Sequence, residues 1–379
     1  MKLRKVSVYR IKIPLRHKFK HASAQRVFAE NIIVRIDSDN GISGWGETIP
    51  REYVTGETLD GTMTFYNRFI PQLIGADIRS VDDIKSVLSG SELNGRNCAR
   101  CAIELALLDL LAKESGQPLY RYLADNISNA KVFSEGPFFY GGAIGLGDGI
   151  KTVVSALKML LFGFKHVKLK LEKNLPADIK RLKLTRLILS RQTGLRVDAN
   201  EAWDMDYAKN IAPYLDKYKV CGVEQPFMKD MLELNNQFKK IADVKIIFDE
   251  SLCTIEQAKQ FATDKTCDVF CVKLPKTGGV LNALEIFDIA RKENIPVQLS
   301  CQVGETAILS AAGRHMAALC PTLKYLEGSF DKFLLAQNVC GEDITFGFKG
   351  KADLIRKSGI GIDVDPQKVK CLAVETIQI

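Results

Sequence analysis

Apolar positions in the first fifty residues follow a strand-like pattern. Val6, Val8, Ile11 and Ile13 mark a short opening strand, residues 31–36 a second, and Ser43-Gly44-Trp45-Gly46-Glu47 the start of a third. Between the last two lies Asp37-Ser38-Asp39-Asn40-Gly41, and Asn-Gly between two apolar runs is a strong hairpin signal. From about residue 58 to 125 the period becomes helical. Residues 102–112 are rich in helix formers, and Gly116 and Pro118 end the run. Residues 1–127 therefore read as a small α+β unit, a meander followed by helices.

From residue 133 short apolar runs alternate with longer amphipathic stretches. The runs fall at 138–140, 167–170, 195–198, 222–224, 246–249, 269–273, 297–300 and 323–327. Strands that alternate with helix-length connections predict parallel βαβ units, and eight such units predict a closed barrel over 133–340. The tail, 341–379, carries Gly341, Gly347, Gly350, Gly359 and Gly361 and then an apolar run at 369–374. It reads as turns plus a late strand that returns to the first unit. The predicted fold class is α/β: a modified (β/α)8, TIM-type barrel with an N-terminal α+β domain.

Composition removes several function classes. The 379 residues are 46% hydrophobic and 26% charged, and no apolar run reaches the length of a membrane span. The opening Met1-Lys2-Leu3-Arg4-Lys5 interrupts its apolar residues with charge, unlike a secretory signal. A cytoplasmic enzyme with no membrane partner is expected, and the ten scattered cysteines fit that compartment as thiols. Cys98-Ala99-Arg100-Cys101 has no second pair at zinc-ligand spacing, so buried small hydrophobes are expected there. The formal charge is +8, yet the basic residues are spread along the chain and form no nucleic-acid arm. An acidic small-molecule substrate suits that balance.

The candidate chemistry sits at the strand ends. Lys168, Lys170, Asp198, Glu224, Asp249 and Lys273 end successive predicted strands, at intervals from Lys170 onward of 28, 26, 25 and 24 residues. Each interval is one strand, one helix and two loops. In a barrel the carboxyl ends of the strands are where active sites form. Lys168 and Lys170, two apart, face the same way, and their mutual repulsion is expected to lower the pKa of one or both, as a base near neutral pH requires. Asp198, Glu224 and Asp249 on three consecutive strands would repel one another unless a cation sat among them. Oxygen ligands with no His or Cys nearby favour Mg²⁺. Lys273 comes next and falls across the cavity from Lys170.

These residues resemble the enolase superfamily, in its muconate-lactonizing-enzyme subgroup. The resemblance is carried by Lys168-Leu169-Lys170, Asp198-Ala199-Asn200, Glu224-Gln225-Pro226, Asp249-Glu250-Ser251 and Lys273-Leu274-Pro275-Lys276-Thr277-Gly278-Gly279. Gly44-Trp45-Gly46-Glu47, Thr55-Gly56-Glu57-Thr58, the helix at 99–112 and Gly359-Ile360-Gly361 are similar to its capping domain and C-terminal segment. The resemblance implies a Mg²⁺ site at Asp198, Glu224 and Asp249. It implies Lys170 and Lys273 as acid and base on opposite substrate faces, and Lys168 as the residue that tunes Lys170 and touches the substrate carboxylate. The reaction implied is abstraction of the proton α to a carboxylate through an enolate, in a small carboxylic acid. Loops near 17–26 and 50–58 would close over the barrel, which makes Phe19, His21, Arg51 and Tyr53 candidate substrate contacts, with Asn200 and Glu327. A homo-oligomer is also implied.

Cycloisomerisation, racemisation or epimerisation, and a syn dehydration of the o-succinylbenzoate synthase type all suit this site. A Schiff-base lyase and a non-catalytic polyanion-binding protein are the alternatives from other classes. Two departures narrow the field. The seventh-strand region, Leu299-Ser300-Cys301-Gln302, has no His, unlike the mandelate-racemase subgroup. The eighth, Leu326-Glu327-Gly328-Ser329, has one early acid where dipeptide epimerases carry Asp-x-Asp.

Overall fold

The structure, a computed structural model, describes residues 1–20 and 25–379, with side chains for these except 18–20 and 25. A four-stranded antiparallel sheet joins β1 (Leu3–Lys20), β2 (Gln25–Ser38) and β3 (Ser43–Thr48) to the C-terminal strand β14 (Ala373–Gln378), in the order β14-β1-β2-β3. The pairing of β1 with β14 shifts register where Val374, the extra residue on β14, stands opposite the step from Arg10 to Ile11, while β1 itself pairs with β2 without a break from Lys5 to Pro14. The opening strand is far longer than its apolar residues suggested, because its pairing with β2 runs on past them, from Leu3 to Lys20.

The helix Asn97–Glu114 lies across this sheet. Gly44 and Gly46 permit the contact: a Cβ there would sit 2.0 Å from the Ala106 carbonyl oxygen and 1.9 Å from that of Ala102. Buried carboxylates then fix the ends of the elements. Glu57 accepts the backbone N–H groups of Cys98 and Ala99 at the start of that helix, where the helix dipole favours negative charge.

The second layer is a barrel of eight parallel strands. In order they are β5 (Gly142–Ile144), β6 (His166–Lys170), β7 (Gly194–Asp198), β8 (Val220–Glu224), β9 (Lys245–Phe248), β10 (Val269–Val272), β11 (Val297–Leu299) and β12 (Leu323–Leu326). The Gly141 N–H donates to the Leu326 carbonyl at the seam between β5 and β12. One expectation is corrected here. The apolar run at 138–140 is not the first barrel strand. Phe138–Phe139 forms β4, which pairs antiparallel with β13 (Lys351–Ala352) outside the barrel. The true first strand is glycine-rich because a Cβ at Gly142 would meet the Met159 sulfur at 2.4 Å; close packing replaced the hydrophobic signal.

All ten cysteines are free thiols, with Cys98 and Cys101 fully buried. Among the described residues no helix is long and apolar enough to cross a membrane.

Two carboxylates of the N-terminal unit reach into the barrel. Glu104 accepts the Leu281 N–H at the start of helix Val280–Lys292. Glu47 accepts from the Thr306 N–H and hydroxyl, the Leu309 N–H and the Asn31 amide, at the start of helix Ala307–Leu319. Truncating Glu47 leaves these buried donors unmatched. Glu47→Ala is expected to lower stability by about 2 kcal/mol, read as a lower urea midpoint at unchanged slope. A change under about 0.5 kcal/mol would show that the contact holds nothing together.

Candidate active site

Register brings the strand-end residues together. Lys170 on β6 pairs with Asp198 on β7, and Asp198 with Glu224 on β8, so three functional side chains stand side by side. Lys168 faces the same way, two residues earlier. Glu224 pairs with Ile247 on β9, two residues before Asp249, and Lys273 follows the last residue of β10. All six line one cavity of about 350 Å³, as do Asn200, Arg51, Tyr53 and Glu327. His21 and the side chain of Phe19 lie outside the described residues.

The loops at the strand ends are braced by the motifs that marked them. Gln225 accepts the N–H groups of Asp249 and Ser251 and donates to the Ser251 hydroxyl, so Glu-Gln-Pro holds Asp-Glu-Ser in place. Asn200 sits at φ 45°, a left-handed conformation that Asn tolerates, and accepts from Lys170 at 2.6 Å.

Charge is tightly compensated at the floor of the cavity. Lys170 donates to Asp198 at 3.0 Å. Lys168 donates to Glu224 at 3.0 Å and to Glu327 at 2.6 Å. Asp249 takes ammonium groups from both Lys273 and Lys276. The expectation of a lysine with a depressed pKa is overturned for Lys168. Burial lowers its pKa, but Glu224, Glu327 and Asp198 outweigh burial and raise it well above the usual value. Lys273 is likewise raised, chiefly by Asp249 against the effect of burial. For Lys168 and Lys273 the neighbouring carboxylates decide the sign. No described lysine of this cavity stands in the apolar, carboxylate-free surroundings that favour Schiff-base chemistry.

Sequence reasoning missed the supports beneath. Arg196 is fully buried and donates to Glu327 at 2.9 Å and to Gln298, with its guanidinium 4.1 Å from the centre of the Tyr325 ring. Gln298 donates in turn to Glu224 at 2.8 Å. The available signal was position: Arg196 lies two residues before Asp198, hence on the same face of β7. Glu327 is thereby a structural partner of Lys168 and Arg196, whose charges, against burial, hold it well below the usual carboxylate range. Lys276, also fully buried, binds Asp249 at 3.0 Å and the Cys271 carbonyl at 2.8 Å.

The donors suit a hard divalent cation. Glu224 is buried beside Asp198, Glu327 and Asp249, and burial together with these neighbours raises its pKa although Lys168 opposes them. An added positive charge would relieve that. The buried Glu250 Oε2, in the same cavity, has no hydrogen-bond partner. Ligand atoms of Glu224, Asp249 and Cys271 lie within 4.8 Å of one another. Burial raises the Cys271 thiol well above its usual pKa, so it is a neutral thiol and a poor ligand beside ionised carboxylates.

Residues 4–124 match the family described as mandelate racemase / muconate lactonizing enzyme, N-terminal domain, and residues 151–368 match enolase C-terminal domain-like. The chain belongs to the enolase superfamily. Within it the chain falls in the mandelate racemase / muconate lactonizing enzyme group. It is 30% identical to the hydrophobic dipeptide epimerase of Enterococcus faecalis over 320 residues, 84% of this chain and 87% of that one. It is 27% identical to the N-succinyl-L-Arg/Lys racemase of Bacillus cereus, over 84% of each chain. A solved structure of the E. faecalis epimerase, complexed with Mg and the dipeptide L-Leu-L-Tyr, superimposes with a TM-score of 0.87 at 27% identity, covering 96% of this chain and all of that one. These enolase-superfamily relatives are isomerases.

Proposed function

We propose that this enzyme removes and returns the proton α to the carboxylate of a small carboxylic acid, inverting that carbon. The observation that carries the reading is the placement of two lysines about the carboxylate row. The strand order is β6-β7-β8-β9-β10, so Lys170 and Lys273 flank Asp198, Glu224 and Asp249 from opposite ends. The epimerase and racemase relatives support proton transfer over ring closure.

Asp198, Glu224 and Asp249 hold Mg²⁺ in this reading. Bound there, the cation offsets the negative charge that develops on the substrate carboxylate. Lys170, as the amine, takes the proton from one face and becomes an ammonium. Lys273, as the ammonium, delivers a proton to the other face and becomes the amine. The reverse reaction exchanges the roles. Asn200 and Asp198 accept the Lys170 ammonium and fix its direction of approach. Lys168 and Lys276 balance the charge of the carboxylates and hold them in place.

Incubation with Mg²⁺ in D₂O and single enantiomers of N-acylamino acids, dipeptides and muconate-derived lactones tests this. Solvent deuterium is expected at the α-carbon together with loss of optical activity, and a chelator is expected to stop both. Deuterium entry that leaves the configuration untouched would refute inversion. A cation-loaded enzyme that exchanges no member would refute the proton-transfer reading for these classes.

A further inference from the structure

The helix Gly149–Phe162 connects β5 to β6 on the outside of the barrel. Asp148 caps its start by accepting the Lys151 N–H at 2.9 Å, and Gly163, left-handed at φ 78°, ends it. One face packs inward through Thr152 and Ala156, both buried, and through Met159, whose sulfur lies against Gly142. The opposite face of such a helix is expected to be polar. Here it carries Ile150, Val154, Leu157, Leu160 and Leu161, with Ile150 78% and Leu161 76% exposed. The adjacent helix Leu175–Ile188 adds Leu187, 72% exposed, one turn beyond the Leu184 that packs against Gly149.

These six side chains leave about 600 Å² of surface in water, the upper end of what a monomer exposes in one patch. Set against a like patch, that becomes about 1,200 Å² buried, enough for a stable pair. Spacing says what fits. Ile150, Val154, Leu157 and Leu161 follow at steps of four, three and four residues, the seam with which one helix packs knobs into the holes of another. A lipid surface requires no such alternation. Run antiparallel about a two-fold axis, the seam matches itself: Ile150 falls opposite the second copy's Leu161, and Val154 opposite its Leu157. Leu160 widens the apolar contact on one flank. Lys151 and Lys158, both exposed, line the other, where like charges of the two copies meet.

We propose that two copies of this chain associate through antiparallel packing of the helix Gly149–Phe162 about a two-fold axis. None of the six residues lines the cavity of the candidate active site, so the inference stands apart from the proton-transfer reading.

Sedimentation velocity over about 0.1 to 100 µM protein tests it, because a dimer depends on concentration. A dimer is expected by about 10 µM. It is expected to tighten as salt rises, since salt screens the facing lysines; an acidic partner or an anionic lipid surface would respond in the opposite sense. Leu157→Glu and Val154→Lys are each expected to weaken the dimer by about 10²-fold or more, while thermal unfolding stays cooperative. Mixed in equal amounts, the two variants are expected to recover association to within about tenfold, because the introduced charges then face each other across the axis. A chain that stays monomeric throughout, a dimer indifferent to Leu157→Glu, or variants that do not recover on mixing each overturn the inference. Monomers that bind phosphatidylserine vesicles until Leu157→Glu is introduced overturn it as well, and give the face to an anionic lipid surface.

Discussion

Lys170→Ala and Lys273→Ala are each expected to reduce overall inversion by about 10³-fold or more, and to differ in what they retain. A positioned acid or base contributes about 10² to 10⁴ in rate. Inversion at one carbon needs both: one lysine removes the proton, the other supplies it from the opposite face. In D₂O the two variants separate these halves. With Lys170 absent, the enantiomer whose proton points at Lys273 still exchanges, and its mirror image does not. Lys273→Ala shows the opposite selectivity. The structure supplies the reason to expect intact sites. Asp198 retains Lys168 at 3.9 Å when Lys170 is lost, and Asp249 retains Lys276 at 3.0 Å when Lys273 is lost. Proton spectra of each enantiomer, with optical rotation alongside, give the result directly. Variants that lose exchange from both enantiomers equally, with cation affinity unchanged, would show that the lysines do not serve separate faces.

The barrel was legible because each βα unit returns the chain to the same end. A charged residue after each apolar run, at intervals of 24 to 28 residues, is that geometry written along the chain. The helix behind Gly44 and Gly46 was legible for a similar reason, since its run of helix formers is long. Two kinds of information were hidden. The first barrel strand is Gly142–Ile144, and glycine used for close packing leaves no apolar mark. Buried charges leave none either: Arg196 lay within an apolar run and Lys276 within a recognised motif, and neither shows its role until its partners are known. The same blindness reversed the expectation for Lys168. Two lysines on one face suggest repulsion, but the residues that outweigh it, Glu224 and Glu327, stand 56 and 159 positions away. Arg51 was marked by its place in a loop over the barrel, and the structure puts it, almost fully buried, in the wall of the cavity.

Glu224→Gln is expected to weaken Mg²⁺ binding by more than about 10²-fold and to lower turnover by about 10³-fold. Stabilising charge that develops on a substrate oxygen is worth several kcal/mol, and about 4 kcal/mol is three powers of ten. Glu224 is the central member of the row and the one whose pKa is raised by burial and by its acidic neighbours. Its carboxylate therefore gains most from a cation. Lost charge must be distinguished from a disturbed floor, because Glu224 also binds Lys168 and Gln298. Glu327→Gln makes that distinction. Glu327 binds the same Lys168 and also Arg196, yet it lies outside the proposed ligand set. It is expected to change Mg²⁺ affinity by less than about tenfold, through charge alone. Calorimetric titration of both variants with MgCl₂ decides the matter. A large loss in Glu224→Gln alone assigns ligation to Glu224. Equal losses in both would mean that affinity is set by the buried charge network, and that Glu224 acts on the cation through Lys168.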